Sequence, residues 1–211
     1  MSEHTESAIL RDVAQYYTET LRQHGETPRG VDWNGEDSQL LRFAQLTKVI
    51  TPALEISVND VGCGYGALYD VLKPAHPGIR YIGCDVSAAM IESARARYAH
   101  EPNVSFVVTS EPDVADYGIA SGILNVRMNY TDDAWHEYFR STLALLDRTS
   151  TKGFAFNCLT SYSDREKQRD YLYYANPGEW FEYCKRNFSR NVAILHDYGL
   201  YEFTILVRKN V

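Results

Sequence analysis

The chain has no apolar run approaching the roughly 20 residues that a membrane-spanning helix requires, so no membrane association is expected. It also lacks a secretory pattern. Residues 1–8 are polar and contain no apolar core segment, which makes the cytoplasm the expected compartment. Cysteine is scarce: Cys63, Cys84, Cys158 and Cys184 form no CxxC pair, and no histidines cluster at zinc-like spacing. Three of the four fall in or beside apolar strand-like runs. Buried free thiols are therefore expected, and no metal site. Basic residues are outnumbered 21 to 28, for a net charge of −7. That balance disfavours a surface built for nucleic-acid phosphates, and no basic stripe is visible. Repeats, linkers and low-complexity segments are absent, and 211 residues suit one domain with a substantial core.

What is present is concentrated in Asn59-Asp60-Val61-Gly62-Cys63-Gly64-Tyr65-Gly66-Ala67-Leu68. An apolar stretch, Leu54–Val58, precedes it as a buried strand, and a short helical pattern follows. Alternate glycines at a strand-to-helix turn let bare backbone approach a ligand. A second strand, Ile79–Cys84, ends at Asp85, close to the offset of about 20 residues at which a ribose-binding carboxylate is expected. The pattern predicts an adenosine-containing cofactor.

Around this turn, strand and helix alternate. Helices are expected over Ala8–Gln23, over Ser38 (as N-cap) to Ile50, and over Ala67–Pro74. Two more are expected over Ala88–Tyr98 behind a Ser87 cap and over Asp132–Leu146 behind a Thr131 cap. His24–Asp37 reads as a loop holding Trp33. Strands are expected at Glu55–Val61, Ile79–Asp85, Val104–Thr109, Tyr117–Val126 and Gly153–Leu159. Asp164–Asn187 reads as partly helical, broken at Asn176-Pro177-Gly178, and a hairpin follows over Asn191–Leu195 and Tyr201–Val207. Serial β-α-β units imply an α/β fold, a mostly parallel sheet with helices on both faces.

Gly62-Cys63-Gly64-Tyr65-Gly66-Ala67 also satisfies the dinucleotide fingerprint G-x-G-x-x-G/A, so a nicotinamide-dependent oxidoreductase competes. Against it, about 60 residues of mostly helical sequence come first, Asp60 would repel a pyrophosphate, and no separate substrate domain is evident. Asp60-Val61-Gly62-Cys63-Gly64-Tyr65-Gly66 resembles motif I of class I S-adenosylmethionine-dependent methyltransferases, and Tyr81–Ile91 resembles their second strand, ribose acid and following helix. The resemblance runs over Leu54–Leu159 and extends to the closing antiparallel strand pair. It implies a single-domain, Rossmann-like, seven-stranded sheet: a helical N-terminal lid (1–53), a cofactor-binding core (54–160), an acceptor-side helical insertion (161–190) and a closing β-hairpin (191–211). It also implies S-adenosyl-L-methionine as cofactor, with S-adenosyl-L-homocysteine as product.

By resemblance, Asp60 orders the turn and the methionine ammonium, while Gly62, Cys63, Gly64 and Gly66 line the cofactor and Asp85 takes the ribose hydroxyls beside Val86. Ser110 or Glu111 stands where the family often carries an adenine-contacting acid, and Ser121 stands at the exit of strand four. That exit, Ser121–Asn125, is not the Asn/Asp-Pro-Pro-Tyr/Phe motif of amide- or base-nitrogen methylation. A small-molecule or saccharide acceptor, methylated on oxygen before nitrogen or carbon, is the expectation. Its pocket is expected from Tyr16, Tyr17, His24, Trp33, Arg42, Asn125, Arg127, Tyr173 and Tyr174, with His196 as the candidate base. The sulfonium methyl is already electrophilic, so a base is needed only where the acceptor must lose a proton. Plainer readings stand beside these: Asp85 as a helix cap, Asp60 as a turn cap, the tyrosines as core or surface, and His196 as an exposed loop residue. A protein or RNA methyltransferase, or a binding module without turnover, also stays open. No nucleic-acid partner is expected, and the protein is expected to be a monomer or homodimer.

Overall fold

The computed structural model describes residues 3–33 and 35–209. In chain order its elements are α1 (Glu3–His24), α2 (Glu36–Leu46), β1 (Ser57–Val61), α3 (Leu68–Ala75), β2 (Arg80–Asp85), α4 (Ala88–Arg97), β3 (Val104–Val108), β4 (Ala115–Ala120), α5 (Asp132–Arg148), β5 (Ser150–Leu159), α6 (Pro177–Asn187), β6 (Asn191–Leu195) and β7 (Glu202–Arg208). The strands form one sheet in the order β3-β2-β1-β4-β5-β7-β6. The first five are parallel, while β7 runs antiparallel to both β5 and β6. This is a Rossmann-like α/β fold with seven strands and one reversed strand. Among the described residues no helix is long and apolar enough to cross a membrane.

Every residue of β1 is buried, as a central strand covered on both faces requires. Side chains alternate across the sheet, which divides the core in two. Phe154, Phe156, Phe203 and Ile205 join Ile9, Trp135, Phe139 and Trp180 on the α1, α5 and α6 side. Ala155 and Leu206 join Phe43, Leu46, Leu68, Leu72 and Ile91 on the α2, α3 and α4 side. The sheet order reverses direction between β1 and β4, which leaves a crevice beyond their C-terminal ends. The register aligns Val61 with Cys84 and with Ala120, so the glycine turn, Asp85 and Ser121 emerge side by side.

Two helix starts follow their caps. The Ser87 hydroxyl accepts from Met90 N at 3.3 Å, and the Thr131 hydroxyl from Ala134 N at 3.3 Å. Elsewhere the boundaries move. Helix α2 begins at Glu36, two residues before the expected cap. Ser38 instead turns its hydroxyl back to Gly35 O, and the helix tightens into a 3-10 turn at Thr47–Val49. The expected loop before it holds a 3-10 turn, Pro28–Val31, and Asn34 in that loop lies outside the described residues. Strand β4 stops at Ala120 instead of running to Val126, because Gly122 adopts φ +77° and turns the chain. Asn176-Pro177-Gly178 starts a helix instead of breaking one. Asn176 Oδ1 accepts from Gly178 N at 3.0 Å, and Pro177 sits at the first helical position, where its missing N–H costs nothing.

Candidate active site

The glycine turn is built by its strand neighbours. Gly62 N and Cys63 N both donate to Cys84 O, at 2.7 and 3.0 Å, which fastens the turn to β2. Gly62, Gly64 and Gly66 all take positive φ, at 73°, 54° and 83°. Asp85 then bridges two elements. Its Oδ2 accepts from Gly64 N at 2.9 Å and its Oδ1 from Ser87 N at 2.8 Å. Each carboxylate oxygen keeps a further lone pair for another donor. Burial raises the Asp85 pKa, and the backbone amides of Ser87, Gly64 and Val86 offset part of that rise. Asp60 is fully buried and accepts from the Tyr81 hydroxyl at 2.5 Å. Burial outweighs that bond and lifts the Asp60 pKa to about 7. Burial also holds the Cys63 thiol protonated, with the charge of Asp85 adding to the effect.

These groups border a chamber of about 310 Å³. Of the expected cofactor residues, Asp60, Gly62, Cys63, Gly64, Asp85, Val86, Ser110, Glu111 and Ser121 all line it. Gly66 does not. A side chain there would sit 2.8 Å from the Tyr98 ring and 2.9 Å from Phe106, so this glycine serves close packing under the turn. Glu111 sits at the chamber's exposed edge, paired at 3.1 Å with Arg148, which lines it as well. Ser121 Oγ is buried without a partner among the described residues. The rest of the wall was not foreseen: Leu10 and Val13 of α1, Val31, and Tyr138, Thr142 and Leu145 of α5. For Leu10, Val13, Tyr138 and Leu145 the one signal was the apolar periodicity of their helices, which reads equally as core; Val31 and Thr142 carried none.

A second chamber, of about 550 Å³, adjoins the first; Tyr17, Val31 and Trp33 line both. Trp33 is clamped in place. Its ring packs against Gly122, where a Cβ would lie 2.4 Å from it, and the Arg42 guanidinium sits 4.0 Å above its centroid. Tyr17, Trp33, Arg42, Asn125 and Tyr174 line this chamber as expected. Other expected acceptor residues do not reach it. Tyr16 lies behind the wall, donating to Asp32 Oδ2 at 2.9 Å. Arg127 is spent on the carbonyls of Tyr130 and Asp170. Tyr173 is buried, and its hydroxyl pairs with His136 Nε2 at 2.5 Å, which pins the tail to α5. His24 ends α1 and lines neither chamber.

His196 also lines neither chamber. It is exposed in the β6–β7 connection, tilted toward Tyr162 and edge-on to Phe203. It follows the last paired residue of β6, whereas Gly199, Leu200 and Tyr201 of the same connection do reach the second chamber. Asp32, Lys167, Arg169, Tyr171, Tyr201 and Glu202 were missed, and they complete the second wall.

The fold, the positive-φ turn and the acid closing β2 are the frame of a nucleoside-binding methyltransferase. Comparison with known proteins agrees. Residues 59–147 match the methyltransferase domain family. A protein of Mycobacterium tuberculosis strain H37Rv, itself described only provisionally as a methyltransferase, is 50% identical over 163 residues, 77% of this chain and 98% of that one. Among solved structures, the DhpI complex with S-adenosylhomocysteine superposes with a TM-score of 0.63 at 15% identity, covering 98% of both chains. The magnesium protoporphyrin IX methyltransferase of Synechocystis, solved with S-adenosylmethionine, gives 0.61 at 15% identity over 93% of this chain and 97% of that one. The chain belongs to the class I S-adenosylmethionine-dependent methyltransferases.

Proposed function

We propose that this methyltransferase binds its cofactor in the first chamber and methylates a small-molecule or saccharide acceptor, on oxygen, in the second. The observation that carries this reading is the shared wall. Tyr17, Val31 and Trp33 stand between a chamber edged by the glycine turn and one edged by polar-tipped aromatic rings. The first chamber fits the cofactor. Gly62 and Gly64 offer bare backbone, Asp85 keeps acceptor capacity, and the buried Ser121 hydroxyl awaits a partner. S-Adenosylmethionine supplies a sulfonium methyl, an electrophile that needs no activation. What remains for the chain is to align the acceptor and exclude water. Asp85 is suited to the ribose hydroxyls and ionised Asp60 to a cationic end.

In the second chamber two carboxylates reach the wall, Asp32 and Glu202. Arg42 holds Glu202. Asp32 is free of a salt bridge among the described residues, and burial raises its pKa. It is the group available to take a proton from a hydroxyl acceptor. A chamber of about 550 Å³ suits a compact acceptor better than a folded partner, and the net charge of −7 works against RNA.

The test uses S-adenosylmethionine labelled in its methyl group. The protein is incubated with a bacterial extract split into low-mass, RNA and protein fractions, and labelled products are identified by mass spectrometry. Label is expected in the low-mass fraction as an O-methyl group. Label appearing in RNA or protein instead would overturn the proposal.

A further inference from the structure

The second chamber is electropositive in an acidic protein. Its wall carries three basic side chains, Arg42, Lys167 and Arg169, against the two carboxylates Asp32 and Glu202. Arg42 and Glu202 cancel each other, with Nε and Nη2 of the guanidinium on the carboxylate at 2.6–2.8 Å. Asp32 is engaged separately by the Tyr16 hydroxyl. Asp32 keeps its charge, so Lys167 and Arg169 leave the wall one positive charge in excess, and neither cation is in a salt bridge among the described residues. The Lys167 ammonium has no hydrogen-bond or ion-pair partner among the described residues. The Arg169 guanidinium reaches only the backbone carbonyls of Glu166 and Gln168, at 3.4 and 3.1 Å. Within the wall itself Arg42 is almost fully buried, yet its Nη1 has no partner among the described residues. Unused donors thus occur both at the rim and inside.

From these observations, and resting on the reading that this chamber holds the acceptor, we infer that the acceptor is a ring-bearing carboxylate. Its charged group seats between Lys167 and Arg169. The overall charge of −7 repels anions at long range, so a site for one needs local cations to draw and hold it. A guanidinium with free N–H groups matches the paired oxygens of a carboxylate. The rings of Trp33, Tyr171 and Tyr174 reach the chamber wall and give the body of such a molecule apolar contacts, the two tyrosines with hydroxyls at their tips.

The test measures binding to the protein loaded with S-adenosylhomocysteine, by saturation-transfer NMR and calorimetry. Four probes in two matched pairs are used: glucuronate with glucose, and 4-hydroxybenzoate with 4-hydroxybenzyl alcohol. At least one carboxylate is expected to bind about tenfold or more tightly than its neutral partner, the effect of roughly one charge-assisted hydrogen bond. Which pair responds separates a sugar ring from an aromatic one. Lys167→Ala combined with Arg169→Ala should abolish the preference while leaving S-adenosylhomocysteine affinity unchanged; that unchanged affinity also shows that the variant folds. Equal binding within both pairs, a preference that survives the double substitution, or no saturable binding of either carboxylate would overturn the inference. Those results leave the two-chamber reading standing. Methyl label in RNA or protein would remove that reading instead.

Discussion

Arg42 and Glu202 lie 160 residues apart in sequence and form a fully buried pair, with Nε within 2.8 Å of both carboxylate oxygens. The pair ties α2 to β7, and its reach extends further. Asn157 Nδ2 donates to Glu202 Oε2 at 2.7 Å, and Asn157 Oδ1 accepts from Gly122 N at 2.8 Å. One chain of polar contacts therefore runs from the N-terminal helices through the closing strand to the turn after β4. Because Arg42 also covers Trp33, the same chain sets the wall between the chambers.

Breaking this pair from one side should be severe. Arg42→Met strands a buried carboxylate, and a loss of about 3–5 kcal/mol is expected. The double variant Arg42→Met with Glu202→Leu removes both charges and should recover much of that loss. Urea unfolding of the single and double variants decides the matter. An unchanged midpoint in Arg42→Met would show that the pair contributes nothing.

Asp60 should make the protein's behaviour depend on pH near neutrality. Its folded-state pKa, about 7, lies above the ordinary carboxylate value of 3.8, chiefly through burial. Between those two values the folded state holds a proton that the unfolded state has released. Stability from this group is therefore highest in acid and falls as pH rises from about 4 to 7, by on the order of 4 kcal/mol in all. Asp60→Asn should flatten that segment of the curve in pH-dependent thermal melts. Affinity for a cationic cofactor should move the other way, strengthening as Asp60 ionises on going from pH 6 to 8. Calorimetry with S-adenosylmethionine at both pH values tests this, and equal pH dependence in the Asn variant would exclude Asp60 as its source.

Asp85 holds the turn, and under the proposed function it also takes the ribose; one substitution tests both. Asp85→Ala removes the acceptor for Gly64 N and Ser87 N, so a stability loss of about 1–3 kcal/mol is expected, seen as a drop of several degrees in melting temperature. Affinity for S-adenosylhomocysteine should fall by more than about tenfold, because ribose hydroxyls would lose their acceptor. Unchanged affinity alongside a lowered melting temperature would assign the carboxylate to the turn alone.

Gly62→Ala meets two obstacles of different kinds. Its φ of +73° costs an L-residue about 1–2 kcal/mol, and the new methyl would lie 2.1 Å from Ile123 Cγ2. Adding Ile123→Ala should relieve the clash but not the backbone strain. Full recovery in denaturant unfolding would mean that the left-handed conformation matters little here.

The sequence was most readable where backbone conformation and side-chain period are local matters. Apolar runs marked the strands, Ser87 and Thr131 marked helix starts, and three alternate glycines marked the turn that Asp85 joins. Each of these depends on neighbours within a few residues or on one β-α-β unit. Two local signals pointed the wrong way, one because a tertiary contact outweighed it and one because the same residues also make a helix cap. The apolar run after Ala120 looked like strand until Gly122 turned beneath Trp33. Asn176-Pro177-Gly178 looked like a breaker until Asn176 capped α6.

The chain alone determined the α/β class, the mostly parallel sheet and the glycine turn after β1. Only the folded structure decided that Gly66 packs against Tyr98 and Phe106, that His196 stands clear of both chambers, and that Lys167 and Arg169 join Trp33 and Arg42 around one cavity. The difference is one of range. Hydrogen-bond periodicity and left-handed turns are set by adjacent residues, whereas a cavity wall gathers side chains from segments that meet only after the sheet has fixed their crossing.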